Sequence, residues 1–341
     1  MQSRNMLRAV YWHMSSFFQR SSSCVTLPEP FFPKNHRFYC EKAVDRDGKL
    51  SLHGVHIFQC PDRLGIVAKI AECIASHGAN ILNTDLFIDF DGQIGPVFHS
   101  RSEFAFDPLQ WPRAAMEEDA LNLAHIFNAQ KSVIRVPGID PNLKIAILAS
   151  AQDHCLVDMM HRWQGGELPV QLTSVISNHQ RGANTHVVRF LERHGIPYHY
   201  LPTSKTNNRE EEILQIVSST DFLVLARYMQ ILTPNFLERY GKDIINIHHG
   251  LLPSFRGANP YKQAFKSGVK LIGATSHFVS EELDGGPIIE QMVDRVSHRD
   301  SLSMLAMKSE NLEKQCLAKA IQCYCEQRIL IYSSNRTIIF N

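Results

Sequence analysis

The sequence lacks an apolar run long enough to cross a bilayer. Charged residues, His, Gly or Pro interrupt every hydrophobic stretch within about ten positions, whereas a spanning helix needs roughly 20 apolar residues. A charge imbalance is also lacking, because 35 Lys and Arg stand against 34 Asp and Glu. This balance argues against a strongly basic surface for nucleic acid or anionic membranes. We therefore expect no nucleic-acid or membrane partner and a function in small-molecule chemistry.

The sequence also lacks the cysteine spacing of a zinc site or a disulfide scaffold. Its eight cysteines form no CxxC pair, and the most closely spaced are Cys323 and Cys325. The adjacent His248 and His249 would point to opposite faces of a strand and could not bind one ion together. We expect reduced, mostly buried cysteines and neither a metal ion nor another cofactor.

Acidic residues are absent from Met1 to Pro28, where three arginines and six serines are found. Apolar residues recur there at steps of three and four, so that a helix would carry Arg4 and Arg8 beside an apolar stripe. This composition is typical of an organellar transit peptide, although a disordered tail would differ mainly in lacking the stripe. We predict that residues 1–34 are a transit peptide and that the protein is mitochondrial.

Residues 54–136 show the pattern strand, helix, strand, strand, helix, strand. Apolar residues at positions 66, 70 and 74 predict a helix that Gly78 ends, and Asp91-Gly92 is a hairpin-type dipeptide. This order predicts a ferredoxin-like βαββαβ domain. The predicted elements are the strands Val55–Gln59, Asn80–Phe90, a strand ending at Phe106 and Ser132–Val136, and the helices after Gly65 and from Trp111 to Phe127.

Two segments of this domain, Cys60-Pro-Asp-Arg-Leu-Gly-Ile-Val and His77-Gly-Ala-Asn-Ile-Leu, resemble the ACT family of regulatory domains. The resemblance implies either an amino-acid effector site or a surface that only supports homo-oligomerisation, and both remain open. Gly65, at the turn from strand to helix, would leave backbone N–H groups free for a carboxylate. The candidate effector-binding residues are Asp62, Gly65 and Asn80.

A second domain, residues 142–341, follows the linker Pro137-Gly-Ile-Asp-Pro141. Short apolar strands alternate here with helices, which predicts a doubly wound, Rossmann-like parallel sheet and an α/β fold. The predicted strands are Leu143–Ala149, Leu172–Ser177, Asp221–Leu225, Asp243–His248, Lys270–Val279 and Pro287–Val296. Predicted helical stretches between them include Cys155–Trp163 and Glu210–Ser218, and a helix from Ser301 to Gln327 is expected to finish the chain.

Ligands of such sheets bind at the carboxyl ends of the strands, which directs attention to three polar residues. Asn246 and His248 lie at i and i+2 within an apolar strand and must share one face. Asp284 precedes Gly285-Gly286, which permit an unusual loop that could approach His248. An amide, an imidazole and a carboxylate suit general acid–base chemistry at a carbonyl, although each could equally cap backbone groups.

Four ordered motifs around these residues resemble the superfamily of 10-formyltetrahydrofolate-dependent transferases and hydrolases. With the ACT-like domain in front, the chain is similar to the formyltetrahydrofolate deformylase family over about residues 54–341. The motifs are Asn246-Ile-His248, Leu252-Pro-Ser-Phe-Arg-Gly257, Gly273-Ala-Thr-Ser-His-Phe-Val279 and Leu283-Asp-Gly-Gly-Pro-Ile-Ile289, joined by Val175-Ile-Ser-Asn-His179 and Ala226-Arg-Tyr-Met-Gln-Ile-Leu-Thr233.

The resemblance implies hydrolysis of 10-formyltetrahydrofolate to tetrahydrofolate and formate, a reaction that balances the one-carbon folate pools of purine and glycine or serine metabolism. It also implies that Asn246, His248 and Asp284 are catalytic. Five residues would line the pterin pocket, although Ile231 and Phe236 could equally serve the core. These are Met229, Gln230, Ile231, Leu232 and Phe236.

The reaction class depends on the acceptor of the formyl group. Glycinamide ribonucleotide formyltransferases follow their first strand with a glycine-rich turn that holds the acceptor phosphate. Here the corresponding segment, Ala149-Ser-Ala-Gln-Asp-His-Cys155, contains no glycine, and Asp153 would repel a phosphate. This disfavours both transfer to a phosphorylated amine and dinucleotide binding. A folate or amino-acid sensor without catalysis is an alternative, but it would not require the polar trio.

Overall fold

The computed structural model describes residues 43–44, 50–90, 95–204, 207–257, 260–332 and 335–340. These described residues all belong to one compact unit of the chain. The predicted transit peptide, residues 1–34, and the dipeptide Asp91-Gly92 lie outside the described residues. No helix in the described ranges combines the length and apolar character that a membrane span needs.

The first half of the described chain is a layer of two helices on an antiparallel sheet. The sheet order is β3-β4-β2-β5, with β1 added to one end of β2. This is the ferredoxin-like arrangement that the sequence predicts. The strands are β1 (Ala43–Val44), β2 (Leu50–Pro61), β3 (Asn80–Asp89), β4 (Val97–Phe106) and β5 (Lys131–Arg135), and the helices are α1 (Ile66–Ser76) and α2 (Arg113–Phe127).

The two helices bury one face of this sheet. Ile66, Ile70 and Ile74 all point inward from α1, as their spacing predicts, and pack in one cluster with Phe58 and Trp111. The strand residues between those that face the helices point to the opposite side of the sheet. That second face is covered by the end of the chain, as described below.

The second half is a seven-stranded sheet flanked by helices. Its elements lie close to the predicted ranges, and four short ones, β8, α4, α6 and α7, were not predicted. The strands are β6 (Leu143–Ala149), β7 (Val170–Ser177), β8 (Tyr198–Tyr200), β9 (Phe222–Ala226), β10 (Ile244–His248), β11 (Leu271–Phe278) and β12 (Ile288–Arg295). The helices are α3 (His154–Gln164), α4 (His186–Arg193), α5 (Glu210–Val217), α6 (Pro234–Tyr240), α7 (Pro260–Lys266) and α8 (Leu302–Cys325).

The strand order of this sheet is β12-β11-β10-β9-β6-β7-β8. The chain runs outward from β6 through β7 to β8, then crosses back to β9 and continues in the other direction. The topological switch point therefore lies between β6 and β9. The predicted parallel arrangement holds for β6 to β10, whereas β11 is antiparallel to both of its neighbours.

The prediction that the terminal helix finishes the chain is wrong. Two further strands, β13 (Ile329–Tyr332) and β14 (Arg336–Ile339), form an antiparallel hairpin after α8. Leu330 and Phe340 pack against Val55 and Ile57, which lie on the face of β2 that the helices leave uncovered. Each strand is too short to bury its apolar side chains alone, and the N-terminal sheet supplies the missing surface.

The described cysteines are free thiols, as predicted. Five of the six are buried and Cys73 is partly exposed. Burial raises the pKa of the Cys60 and Cys316 thiols to about 11, which keeps them protonated at neutral pH.

Candidate active site

The candidate site is built at the carboxyl end of β10, an interior strand of the seven-stranded sheet. This strand pairs with β9 on one side and β11 on the other, and four of its five residues are buried. Asn246 and His248 point to the same face because they are two residues apart. His248 is buried and Asn246 is partly buried. Two polar side chains in such a strand need polar partners nearby.

Asp284 is brought to this strand end by a tight loop between β11 and β12. Its φ of +53° lies in the left-handed region, which Asp tolerates better than most residues. The loop continues through Gly286, where a Cβ would lie 1.9 Å from the Phe278 carbonyl oxygen. Only glycine allows this approach of the two backbones, which turns the loop back over β10.

His248 and Asp284 are in direct contact. Their Nδ1 and Oδ2 atoms are 3.3 Å apart, and His248 Nε2 lies 3.3 Å from the carbonyl oxygen of Phe255. Both neighbours are hydrogen-bond acceptors. An imidazolium, with a proton on each nitrogen, satisfies both contacts, whereas the neutral ring satisfies only one.

The environment of Asp284 favours its ionised form. Burial raises the pKa of this carboxyl, but the hydrogen bond and charge of His248, the proximity of His277 and the backbone N–H of Gly257 outweigh it, so that the pKa lies below its usual value. The carboxylate is therefore charged at neutral pH and available as a proton acceptor.

His277 completes the cluster from strand β11, where it lies opposite Asn246 in the strand register. Its Nδ1 contacts the Phe278 carbonyl oxygen at 2.8 Å, so this nitrogen carries the proton. Burial lowers the pKa of His277, and the ring is neutral. Its Nε2 then accepts a hydrogen bond of 3.1 Å from Asn246 Nδ2, which fixes the amide. Within the described residues, this is the one hydrogen bond found for the Asn246 side chain, so its oxygen and second N–H are available to a ligand.

The structure thus brings the three predicted residues together, joined by His277. The Asp284 Oδ1 and His277 Nε2 atoms are 3.9 Å apart, so a series of contacts runs from Asn246 through His277 and Asp284 to His248. His277 lies within one of the motifs that carry the family resemblance, but no catalytic role was predicted for it. The available signal was a second polar residue inside an apolar strand next to the Asp284 loop.

A cavity of about 610 Å³ opens beside Asp284 and has the size of a small-molecule site. Its walls come from the loop after β10, the Asp284 loop, the edge strand β12 and the C-terminal hairpin. The lining residues are Leu252, Pro253, Arg256, Asp284, Gly285, Gly286, Ile288, Ile289, Glu290, Gln291, Tyr332, Asn335, Arg336 and Thr337.

The residues predicted for the pterin pocket do not line this cavity and divide into two groups. Leu232 and Phe236 are buried in the core cluster beside α5 and α6, which agrees with the structural alternative for Phe236. Met229 and Ile231 are 57% and 70% exposed, and Gln230 is partly exposed. The exposed pair follows β9, the neighbour of β10, and Ile231 therefore has no core role.

The candidate effector residues lie at opposite ends of the N-terminal sheet, because Pro61 is level with Val97 of β4, whereas Asn80 is level with Ala105. Asp62 and Gly65 belong to the turn between β2 and α1, and Asn80 begins β3. Gly65 has a φ of +89° and open space where a side chain would be. Its conformation requires glycine, while an effector role for the three residues stays a prediction.

A polar network fills the switch point between β6 and β9. Glu313 of α8, whose side chain is 3% exposed, accepts hydrogen bonds from His154 at 2.7 Å and Ser309 at 3.0 Å. Its carboxylate lies 3.4 Å from Arg227 Nε, which also donates to Gln152 at 2.8 Å. Burial raises the pKa of Glu313, but the hydrogen bond from His154 and the charge of Arg227 lower it by more. The pKa of Glu313 therefore lies below its usual value.

His154, Cys155 and Glu313 offer ligand atoms within 4.8 Å of one another. Their chemistry does not fit a divalent cation, because Arg227 already neutralises the carboxylate and burial raises the pKa of the Cys155 thiol well above its usual value. The neighbouring His249 is also neutral, since burial and Arg227 lower its pKa to about 3. This group is best described as an ion-pair network.

Comparison with known proteins places this architecture in a family. The model of the formyl transferase family matches residues 143–321. Formyltetrahydrofolate deformylase 1, mitochondrial, from Arabidopsis thaliana is 60% identical over 307 residues, covering 90% of this chain and 94% of the relative. The crystal structure of a formyltetrahydrofolate deformylase from Pseudomonas syringae pv. tomato is 38% identical with a TM-score of 0.76, covering 87% of this chain and 97% of that one.

A transferase shares only part of the fold. Glycinamide ribonucleotide transformylase 1 from Symbiobacterium toebii is 29% identical with a TM-score of 0.53, covering 59% of this chain and 95% of its own. The fold and site thus define a formyl transferase-type protein. Because its relatives match nearly end to end at up to 61% identity, the chain belongs to the formyltetrahydrofolate deformylase family.

Proposed function

We propose that this protein hydrolyses 10-formyltetrahydrofolate to tetrahydrofolate and formate. The observation that carries the proposal is the contact of 3.3 Å between His248 and Asp284 at the end of β10, beside a fixed Asn246 amide. These are a proton donor, a proton acceptor and an oxyanion donor within one cluster. Family membership supports the substrate, since the relatives are named as deformylases of this folate.

Asp284 activates the water in this mechanism. The ionised carboxylate accepts a proton as water attacks the formyl carbon on N10. The new C–O bond forms as the carbonyl electron pair moves onto the formyl oxygen. The loop conformation places the carboxylate next to His248 before substrate arrives, so little reorganisation is needed.

Asn246 and His248 stabilise the tetrahedral oxyanion. The free N–H of the Asn246 amide donates to the oxygen, and the imidazolium of His248 adds a positive charge. Collapse of the intermediate breaks the bond to N10, which takes a proton from the imidazolium. Asp284 then returns the water proton to His248 across their contact, and a further proton leaves to solvent with formate.

The filled switch point supports hydrolysis over transfer to a large acceptor. The place where open α/β sheets hold a second ligand is occupied here by Arg227, Gln152 and Glu313 from the chain itself. Water needs no such binding site.

The remaining features of the proposal concern partners and location. The exposed segment Met229–Ile231 would cover the pterin, and no cofactor is needed because both groups that move protons are side chains. The N-terminal domain would bind an amino-acid effector or join copies of the chain as a homo-oligomer.

The names of the plant relatives support a mitochondrial location. There the reaction would balance formylated and free folate.

The test is incubation of the purified protein, without residues 1–34, with 10-formyltetrahydrofolate. We expect formate and tetrahydrofolate in equal amounts, with and without an added amine such as glycinamide. Formyl recovered on the amine instead of in water would establish a transferase. Binding of the folate without turnover would establish the sensor alternative.

A further inference from the structure

Arg101 is an arginine of the N-terminal domain whose side chain is fully buried. It lies on β4 and points away from the two helices of its own domain. Its guanidinium donates to the carbonyl oxygens of Gln327 at 3.1 Å and Glu326 at 3.2 Å, and it pairs with Glu103. A buried guanidinium is costly unless its donors are paired, so these contacts fix its partners in place.

The two carbonyls belong to the end of the long helix α8. Glu326 is the residue that caps this helix, and Gln327 has a φ of +54° as the chain turns away. Helix carboxyl ends carry partial negative charge and unpaired carbonyls, which a cation stabilises. Arg101 therefore sets where α8 ends and the direction in which the C-terminal hairpin leaves it.

The hairpin continues from this junction to the cavity beside Asp284. Two hydrogen bonds close its open end: Arg328 Nε donates to the Phe340 carbonyl oxygen, and the Phe340 N–H donates to the Arg328 carbonyl oxygen. On the far strand, the hydroxyl of Thr337 donates to the carbonyl oxygen of Ile288 on β12. Tyr332 and Thr337 line the same cavity as Asp284. The hairpin thus lies against the N-terminal sheet and also walls the candidate active site.

We propose that Arg101 is a positioning residue for hydrolysis that acts through the C-terminal hairpin. By fixing the end of α8 it holds the hairpin against Ile288, two residues beyond Gly286 in the loop that carries Asp284. The N-terminal domain would then contribute to catalysis even with no effector bound. This inference rests on the proposed function.

The test compares Arg101→Met, Arg101→Lys and Thr337→Val with the wild-type protein. We expect Arg101→Met to lower kcat about ten-fold and to speed hydrogen exchange in residues 284–291 and 335–340. Arg101→Lys should recover part of kcat, because the charge remains while the forked donor is lost. Thr337→Val removes only the hydroxyl that contacts the Ile288 carbonyl oxygen, and it is also expected to lower kcat. This variant tests the inference if Arg101→Met does not fold.

The matched control is Asp119→Asn on the helix layer of the same domain, where Asp119 accepts from Trp111 at 2.8 Å and His77 at 2.9 Å. This variant should lower the stability of the domain without changing kcat.

The double variant Arg101→Met, Thr337→Val should lower kcat by less than the product of the two single effects, since both residues act on the C-terminal hairpin. Unchanged kcat and exchange in folded Arg101→Met, or an equal loss of kcat in Asp119→Asn, would overturn the inference. Failure of the wild-type protein to release formate would instead contradict the proposed function, while exchange would still test the link.

Discussion

Asn246 and His277 lie directly opposite each other on β10 and β11, and the Asn246 amide donates to the His277 ring at 3.1 Å. The ring can accept because its other nitrogen donates to the Phe278 carbonyl oxygen. A neutral, buried histidine thus orients the amide that the proposed mechanism assigns to the oxyanion. The orientation depends on the antiparallel pairing of β11, the one strand that reverses direction within the described sheet.

Asn246 and His277 should therefore differ in how strongly they affect the rate. Asn246→Ala removes the oxyanion donor, and we expect kcat to fall about 10²- to 10³-fold. His277→Phe leaves the amide present but unoriented, and a smaller fall of roughly ten- to a hundred-fold is expected. Steady-state formate release measures both, and a larger effect for His277→Phe would mean that His277 takes part in the chemistry itself.

Asp284→Asn tests the proton acceptor with almost no change in shape. We expect kcat to fall about 10²- to 10⁴-fold, because the amide cannot take a proton from water. Substrate binding, measured as the dissociation constant of a non-hydrolysable folate analogue, should change little. Glu282→Gln, an exposed acid of the same loop region, is the control. Retention of more than about a tenth of kcat would remove Asp284 from the role of base.

The sequence alone led to the trio because local rules decide much of its geometry. Alternation on a strand puts Asn246 and His248 on one face, and Gly285-Gly286 indicates a tight loop after Asp284. The role of His277 could not be derived this way, since it depends on the register between β10 and β11. The hairpin over the N-terminal sheet was missed for a similar reason. Its strands are stable only against Val55 and Ile57, more than 250 positions earlier in the chain.

The exposure of predicted binding residues was also beyond sequence reasoning. Ile231 and Phe236 have similar hydrophobicity and lie in one short segment, yet one is 70% exposed and the other fully buried. Helix α6 begins between them at Pro234, and its orientation on the sheet decides which side chain turns inward. The apolar character of a residue alone does not show how helix α6 is oriented on the sheet.

Gly286 should be the most sensitive glycine of the Asp284 loop. In Gly286→Ala the new methyl group would meet the backbone oxygen of Phe278 at 1.9 Å, so the loop must move. We expect a loss of about 1–3 kcal/mol in the free energy of unfolding, together with a fall in kcat of about a hundred-fold as Asp284 leaves His248. Denaturant titration and formate release measure the two effects.

The matched control for this variant is Gly285→Ala. Its methyl group would meet the end of the Glu282 side chain at 2.5 Å, and that flexible, exposed chain can move aside. Equal losses in the two variants would show that the loop tolerates no substitution at all and that the Phe278 contact is not the cause.

Protonation of the buried His56 should contribute to the loss of stability on the acid side. Its ring is buried and its Nε2 lies 3.1 Å from the Ser132 hydroxyl, and burial lowers the pKa of His56 from 6.5 to about 4. Between these values the unfolded chain binds a proton that the folded chain does not, so stability is lost as pH falls from about 6.5 to 4. The free energy of unfolding falls by on the order of 3 kcal/mol over this range, and protonation of His56 lowers it no further below pH 4.

Because Asp284 stays ionised over this range, the loss of activity at low pH should coincide with unfolding. Urea titrations at pH 7 and 4.5 should show a smaller difference in stability for His56→Gln than for the wild type. The exposed His298→Gln, which keeps His56, should show the same difference as the wild type. An unchanged slope in His56→Gln would mean that another buried group, such as His249, controls the acid limit.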